Sequence, residues 1–223
     1  MRAAFLGTPA AAIPSLAALM EVASVEFVVT QPDRPKGRGQ RLEPSPVKVA
    51  ASEWGLPVYQ PATHTELLGL FEEAGIEVAV VVAYGRILRP AVLESVERGF
   101  VNVHFSLLPR WRGAAPVERA LLAGDDYSGV SLMVLDEGLD TGPVLAAAEI
   151  EINEFETAGE LTGRLASLGA DVLRDHLVDY HHGKLRPARQ MRTGATMAPR
   201  LTTAEAALDV NVTPTLFART VRA

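Results

Sequence analysis

Apolar and polar positions alternate along this chain in two different periods, and the switches between them outline its elements. A short apolar run at 3–6 ends in Gly7-Thr8-Pro9, which reads as a buried strand turning into a helix over 10–22. A second apolar run, Phe27-Val28-Val29, reads as a strand. Residues 31–46 contain Pro32, Pro35, Gly37, Gly39, Pro44 and Pro46, and so many breakers predict that no regular element forms there. Helical spacing returns over 47–54. It returns again over 64–74, where Leu67, Leu68 and Phe71 set the pattern, and 56–59 reads as a short strand between them. The β-branched run 78–82 has no polar face, as expected of a parallel strand covered on both sides. There follow a short helix over 90–96, a strand over 100–104, a helix over 116–123 stopped by Gly124, and strands over 130–135 and 144–152. Thr157 opens a long helix reaching about 181, with Gly183 beyond its end. Strands alternating with helices predict an α/β fold with a mainly parallel sheet. From Lys184 the texture changes. Lys184, Arg186, Arg189, Arg192 and Arg200 follow with no carboxylate among them, which reads as a linker or an extended arm. Thr202 and Glu205 have capping-box spacing, and Pro214 opens a last amphipathic helix containing Leu216, Phe217 and Val221.

The 223 residues fit one large domain, or one domain and a small appendage. With 48% hydrophobic and 22% charged residues the chain can bury a core, which argues against disorder. No run of eighteen apolar residues occurs, so no membrane partner is expected, and the opening apolar run is short for a secretory signal. The chain has no cysteine, which removes thiolate nucleophiles, disulfides and zinc–thiolate sites and fits a cytoplasmic location. The net charge of −6 argues against a generally basic nucleic-acid binder but leaves room for a local patch.

Three segments carry candidate chemistry. Asn102 and His104 lie two apart on an expected strand, so they share a face near its carboxyl end, where open α/β sheets bind ligands. An amide donor beside an imidazole stabilises charge developing on a carbonyl oxygen; the same pair also suits a buried, hydrogen-bonded histidine and a turn asparagine. Asp136, Glu137 and Asp140 converge in the 135–142 loop, which carries Gly138 and Gly142. There a carboxylate can orient a histidine, although Asp and Gly are equally ordinary turn residues. Arg34, Lys36, Arg38 and Arg41 lie within the 31–46 segment, interspersed with glycines, a composition that suits phosphate contact as well as a solvated loop. Gly7-Thr8-Pro9 is not a dinucleotide fingerprint, there is no Walker loop or G-x-S-x-G elbow, and no ligand spacing points to a metal.

Taken together, Gly7-Thr8-Pro9, Thr30-Gln31-Pro32-Asp33-Arg34-Pro35, Gly37-Arg38-Gly39, Pro44-Ser45-Pro46-Val47-Lys48, Val81-Val82-Ala83-Tyr84-Gly85, Asn102-Val103-His104, the run SLLPRWRGAAP at 106–116, Leu139-Asp140-Thr141-Gly142 and Ala198-Pro199-Arg200-Leu201-Thr202 resemble the methionyl-tRNA formyltransferase family. The resemblance implies a Rossmann-like formyltransferase fold with a short C-terminal arm. It implies a catalytic domain over 1–183, a basic linker over 184–204, and over 205–223 the truncated start of the family's C-terminal barrel. It implies transfer of a formyl group from 10-formyltetrahydrofolate, without a metal, to the methionyl amine of initiator methionyl-tRNA, by a monomer in the cytoplasm. The catalytic residues would be Asn102 and His104, donating to an oxyanion, and Asp140, paired with His104 and assisting proton movement. The folate would lie along Ala83, Tyr84 and Gly85 and the turn Ser106, Leu107, Leu108 and Pro109, with Asp136 on the other side. Arg34, Lys36, Arg38 and Arg41 would engage the tRNA, Arg38 foremost. Phe105 stands where many members have glycine, and its bulk would narrow the pocket. Two alternatives stay open: a formyltransferase of a small amine, such as an amino sugar or glycinamide ribonucleotide, and a folate- or RNA-binding fragment without catalysis.

Overall fold

The computed structural model describes residues 1–36, 40–208 and 211–223, with the backbone alone at Lys36. Chain order begins with β1 (Arg2–Gly7), a single 3-10 turn at Ala10–Ala12, α1 (Ile13–Val22) and β2 (Ser24–Val29). Next come β3 (Arg34–Lys36) and β4 (Arg41–Glu43), then α2 (Pro46–Glu53), started by Ser45 accepting from the Lys48 amide. β5 (Val58–Tyr59) precedes α3 (His64–Ala74), which Thr63 caps and Gly75 stops in the left-handed conformation. β6 (Val78–Val82), the one-turn α4 (Pro90–Leu93), β7 (Phe100–His104), β8 (Arg112–Gly113) and α5 (Pro116–Ala123) follow. The chain continues through β9 (Tyr127–Val134), β10 (Val144–Glu151), α6 (Ala158–His181), β11 (Met197–Ala198) and α7 (Pro214–Arg222). A complete capping box between Thr157 and Glu160 explains why α6 starts where the sequence says.

The described residues form a seven-stranded sheet in the order β10-β9-β7-β6-β1-β2-β5. It is mainly parallel, with β9 and β10 completing one edge in antiparallel sense. Helices cover both faces. Alternate residues of β1, β6 and β7 (Phe5, Val80, Val101, Val103) meet Leu16 of α1, Val117 of α5 and Leu165 of α6. The others (Leu6, Val81, Phe100) meet Leu67 and Phe71 of α3 and Val92 of α4. The chain works outward from β1 to β2 and β5, then returns to β6 and β7 on the other side. That reversal opens a crevice at the carboxyl ends of β1 and β6.

The structure corrects one expectation. Residues 31–46 are not wholly irregular: β3 and β4 pair antiparallel, Arg34 opposite Glu43, Pro35 opposite Leu42 and Lys36 opposite Arg41. In a two-stranded ribbon both strands are edges, so Pro35 needs no ladder donor, and its restricted backbone suits an extended strand. The base of the ribbon is fixed by Lys48, which donates to Asp33 at 2.7 Å, and by Gln60, which donates to both Asp33 and the Gln31 carbonyl. Arg38, with Gly37 and Gly39, lies outside the described residues. The basic 184–204 segment, expected as a linker or an extended arm, runs along the domain and pairs with it. Ala188 and Val144 exchange backbone hydrogen bonds at 2.8 Å, and β11 pairs in parallel with β8.

Thr202 and Glu205 exchange capping bonds, yet only turns follow them. Glu205 also accepts from Arg119 at 2.6 Å, and this guanidinium, aided by the Thr202 amide, holds its carboxyl at about 2 instead of 4.5. A depressed carboxylate contributes above its ordinary value and stops contributing only as pH falls through the depressed one. The tether should therefore persist at pH 4. An NMR titration of the Glu205 carboxyl should show a midpoint near 2; a midpoint near 4.5 would mean that the Arg119 contact does not form.

Candidate active site

Period two sends Phe100, Asn102 and His104 of β7 to the face covered by α3 and α4. Phe100 sits under those helices. Asn102 and His104, further along, reach past them, because α4 is only one turn long. Both line a cavity of ≈ 450 Å³ at the carboxyl ends of β6 and β7. Its other walls include Pro9 and Ala11, the 81–88 stretch, Leu93, Gly113, Ala114, Leu135 to Asp140, and Arg200. A cavity this size takes a small molecule or the end of a larger one.

The roles of the two imidazole nitrogens are separable. Nε2 of His104 lies 2.9 Å from the carbonyl of Trp111. A carbonyl only accepts, so Nε2 carries a hydrogen, and Nδ1 is the nitrogen left for chemistry. Nδ1 stands 3.7 Å from Oδ2 of Asp140, and both side chains are largely buried. That separation is too long for a direct hydrogen bond and leaves Nδ1 open to a water or a reacting group. Asp140 Oδ2 also accepts from the Gly113 amide at 2.8 Å, which aims the carboxylate. The aim needs unusual backbone: φ is +51° at Asp140 and +62° at Trp111, both non-glycine residues in the left-handed region.

The other candidate residues divide. Ala83, Tyr84 and Gly85 line the cavity, and the Tyr84 carbonyl accepts from the Thr8 hydroxyl, tying this loop to Gly7-Thr8-Pro9. Burial pushes the Tyr84 phenol up, so it stays a neutral hydrogen-bonding group at working pH. Its hydroxyl is buried, and the nearby Arg86 guanidinium opposes that rise. Asp136 lines the cavity but spends one oxygen on Thr141 Oγ1 and the Gly138 amide, closing its own loop. Ser106, Leu107, Leu108 and Pro109 do not line the cavity. The Ser106 hydroxyl donates to the Arg110 carbonyl at 2.6 Å, and Ser131 bridges the Ser106 carbonyl and the Leu108 amide. This turn, with its cis Leu108–Pro109 bond, braces the loop that delivers the Trp111 carbonyl. Arg34 and Arg41 are exposed on the ribbon. Phe105 lines the cavity. Among the described residues no cluster of three His, Asp or Glu is placed to hold a metal ion.

The formyl transferase family model matches residues 1–177. The methionyl-tRNA formyltransferase of Halorhodospira halophila is 51% identical, aligned over 100% of this chain and 72% of its own. That of Xanthomonas euvesicatoria pv. vesicatoria is also 51% identical, over 100% of this chain and 74% of its own. The chain belongs to the methionyl-tRNA formyltransferase family. It is a formyl-transfer enzyme. The family's Rossmann-like fold recurs in an N-formyltransferase from Helicobacter canadensis, solved with folinic acid and dTDP-3-aminofucose. That structure matches with a TM-score of 0.77 at 19% identity, over 99% of this chain and 79% of its own. No helix among the described residues is long and apolar enough to cross a membrane.

Against this formyltransferase frame, sequence reasoning missed Trp111, Gly113 and Gln190. The first two act through the backbone, which leaves no side-chain signature. Glycine is required at 113, since its φ is +125° and a Cβ there would lie 2.7 Å from the Ala198 carbonyl. Gly113→Ala should therefore cost roughly 1–3 kcal/mol of stability, measured by urea unfolding. An unchanged midpoint would mean that the β8–β11 junction yields freely.

Proposed function

We propose that this enzyme moves the formyl group of 10-formyltetrahydrofolate to the α-amine of methionine carried on initiator tRNA. What carries the reading is Asn102 and His104 projecting side by side into one cavity with Asp140 3.7 Å from His104 Nδ1. The relatedness to methionyl-tRNA formyltransferases, over 100% of this chain and 72–74% of theirs, supports this acceptor.

The amine adds to the formyl carbon, forming the new C–N bond and moving the carbonyl π pair onto oxygen. The Asn102 amide and a proton on His104 Nδ1 donate to that oxyanion, where charge develops only as the bond forms. The adding nitrogen must lose a proton and N10 of the folate must gain one. Asp140, open beside Nδ1, passes it through a water. The oxyanion then collapses, the bond from carbon to N10 breaks, and formyl-methionyl-tRNA and tetrahydrofolate leave. His104 Nε2 takes no part, because the Trp111 carbonyl holds its hydrogen.

The donor would lie along Ala83, Tyr84 and Gly85, where backbone edges offer polar contacts for a flat ring. Asp136 to Asp140 would close the opposite wall, with Ser106, Leu107, Leu108 and Pro109 supporting it from behind. The ≈ 450 Å³ cavity has no room for the body of a tRNA, so only the aminoacyl end would enter. The exposed ribbon with Arg34 and Arg41, together with Lys36 and Arg38, would meet phosphates outside. In this reading 1–183 carry the chemistry, 184–204 brace it, and the enzyme works as a monomer in the cytoplasm. The test offers labelled 10-formyltetrahydrofolate with methionyl-initiator tRNA, an amino-sugar nucleotide and glycinamide ribonucleotide in parallel. The tRNA should show the largest kcat/KM; a small amine ahead of it would reassign the acceptor.

A further inference from the structure

We propose that Gln190 is a positioning residue for formyl transfer, latching the basic 184–204 segment onto the loop that aims Asp140. Its Nε2 donates to the Asp140 carbonyl at 2.9 Å and to the Gly142 carbonyl at 2.7 Å. Its Oε1 accepts from Arg112 Nε at 3.1 Å and from Nη2 at 2.7 Å. One side chain thus uses both amide hydrogens and its oxygen on partners 48 to 78 residues away.

The partners explain the purpose. Arg112 directly precedes Gly113, whose amide holds the Asp140 carboxylate. The latch therefore grips Asp140 from its own carbonyl on one side and from its carboxylate's donor on the other. That closes a ring running Asp140 Oδ2, Gly113, Arg112, Gln190 and back to the Asp140 carbonyl. Asp140 is left-handed at φ +51°, a conformation that persists only when its surroundings enforce it. The segment bearing Gln190 is itself anchored on both sides, by the Ala188–Val144 exchange and by β11 on β8. An amide is the required chemistry. Glutamate would keep the Arg112 contact but set an oxygen against two carbonyls, and lysine would keep donors but oppose the guanidinium.

The inference rests on the proposed role of Asp140, so its test has one readout independent of turnover. Gln190→Glu and Gln190→Ala are compared with wild type and with Asp140→Ala, in which the bond to the Gly113 amide is absent. If the latch aims Asp140, the Gly113 amide proton moves upfield toward its Asp140→Ala position in both Gln190 variants. Formyl transfer then falls about tenfold or more in kcat, with donor KM within about twofold, as for a group that acts only through the transition state. Gln190→Glu retains the Arg112 pair, so its melting temperature should fall less than that of Gln190→Ala. A Gly113 resonance that stays in place in Gln190→Glu overturns the proposal. So does a shifted resonance with wild-type kcat, or a loss of rate that only tracks the folded fraction. Absence of transfer by wild type would instead strike the reading of the reaction, while the Gly113 resonance would still decide the latch.

Discussion

Asp140→Asn is expected to lower kcat for formyl transfer by about 10²-fold or more, with donor KM little changed. The substitution keeps an oxygen for the Gly113 amide but removes the charge 3.7 Å from His104 Nδ1 and the group that passes the proton. His104→Ala should cost at least as much, since it also frees the Trp111 carbonyl from its donor. Asn102→Ala removes one oxyanion donor and should fall in the same range of about 10²-fold. Each loss belongs to kcat, because charge appears on the formyl oxygen only as the amine adds. Steady-state kinetics with saturating donor checks all three. A near-native kcat in any one would remove that residue from the mechanism.

Replacing Arg34, Arg38 and Arg41 together by alanine is expected to lower kcat/KM for methionyl-tRNA about tenfold or more, with donor binding unchanged. Three lost phosphate contacts should also flatten the salt dependence, by roughly 0.7 in log–log slope per contact to single-stranded RNA. Arg34 and Arg41 are exposed on a ribbon whose base is pinned by Lys48, Asp33 and Gln60, so the charges can go without disturbing the core. The chain as a whole is acidic, at −6, so this patch would act against a repelling background and its effect should be steep at low salt. Equal loss of donor and tRNA binding would make the ribbon structural. An unchanged salt slope would count against phosphate contact.

Most of the fold was legible because β6 has no polar face and the helices carry clear stops. The expected bounds of α3, β6, β7 and α5 coincide with those observed, each closed by a glycine, a proline or a switch of period. Legibility failed where partners are distant. The β3–β4 ribbon was obscured by Pro35, which is tolerated because each strand is an edge. In the 184–204 segment the sequence pattern left a linker and an extended arm equally open, because the backbone pairing to Val144 and β8 depends on distant partners. At the site, period two brought Asn102 and His104 together on paper, and their shared face lines the cavity. The Ser106 to Pro109 turn lies outside the cavity lining, and the Ser106 hydroxyl and carbonyl are both engaged by protein groups. The tautomer of His104 was beyond any sequence pattern, since a backbone carbonyl sets it.

The most direct test of the account is a stoichiometric one. This 223-residue chain is mixed with 10-formyltetrahydrofolate and methionyl-initiator tRNA, and tetrahydrofolate release is followed alongside formyl-methionyl-tRNA formation. The account predicts one formylated methionine for each tetrahydrofolate released, with both signals suppressed together in Asp140→Asn. Tetrahydrofolate released without formyl-methionine, or no reaction with tRNA while an amino sugar is formylated, would contradict it.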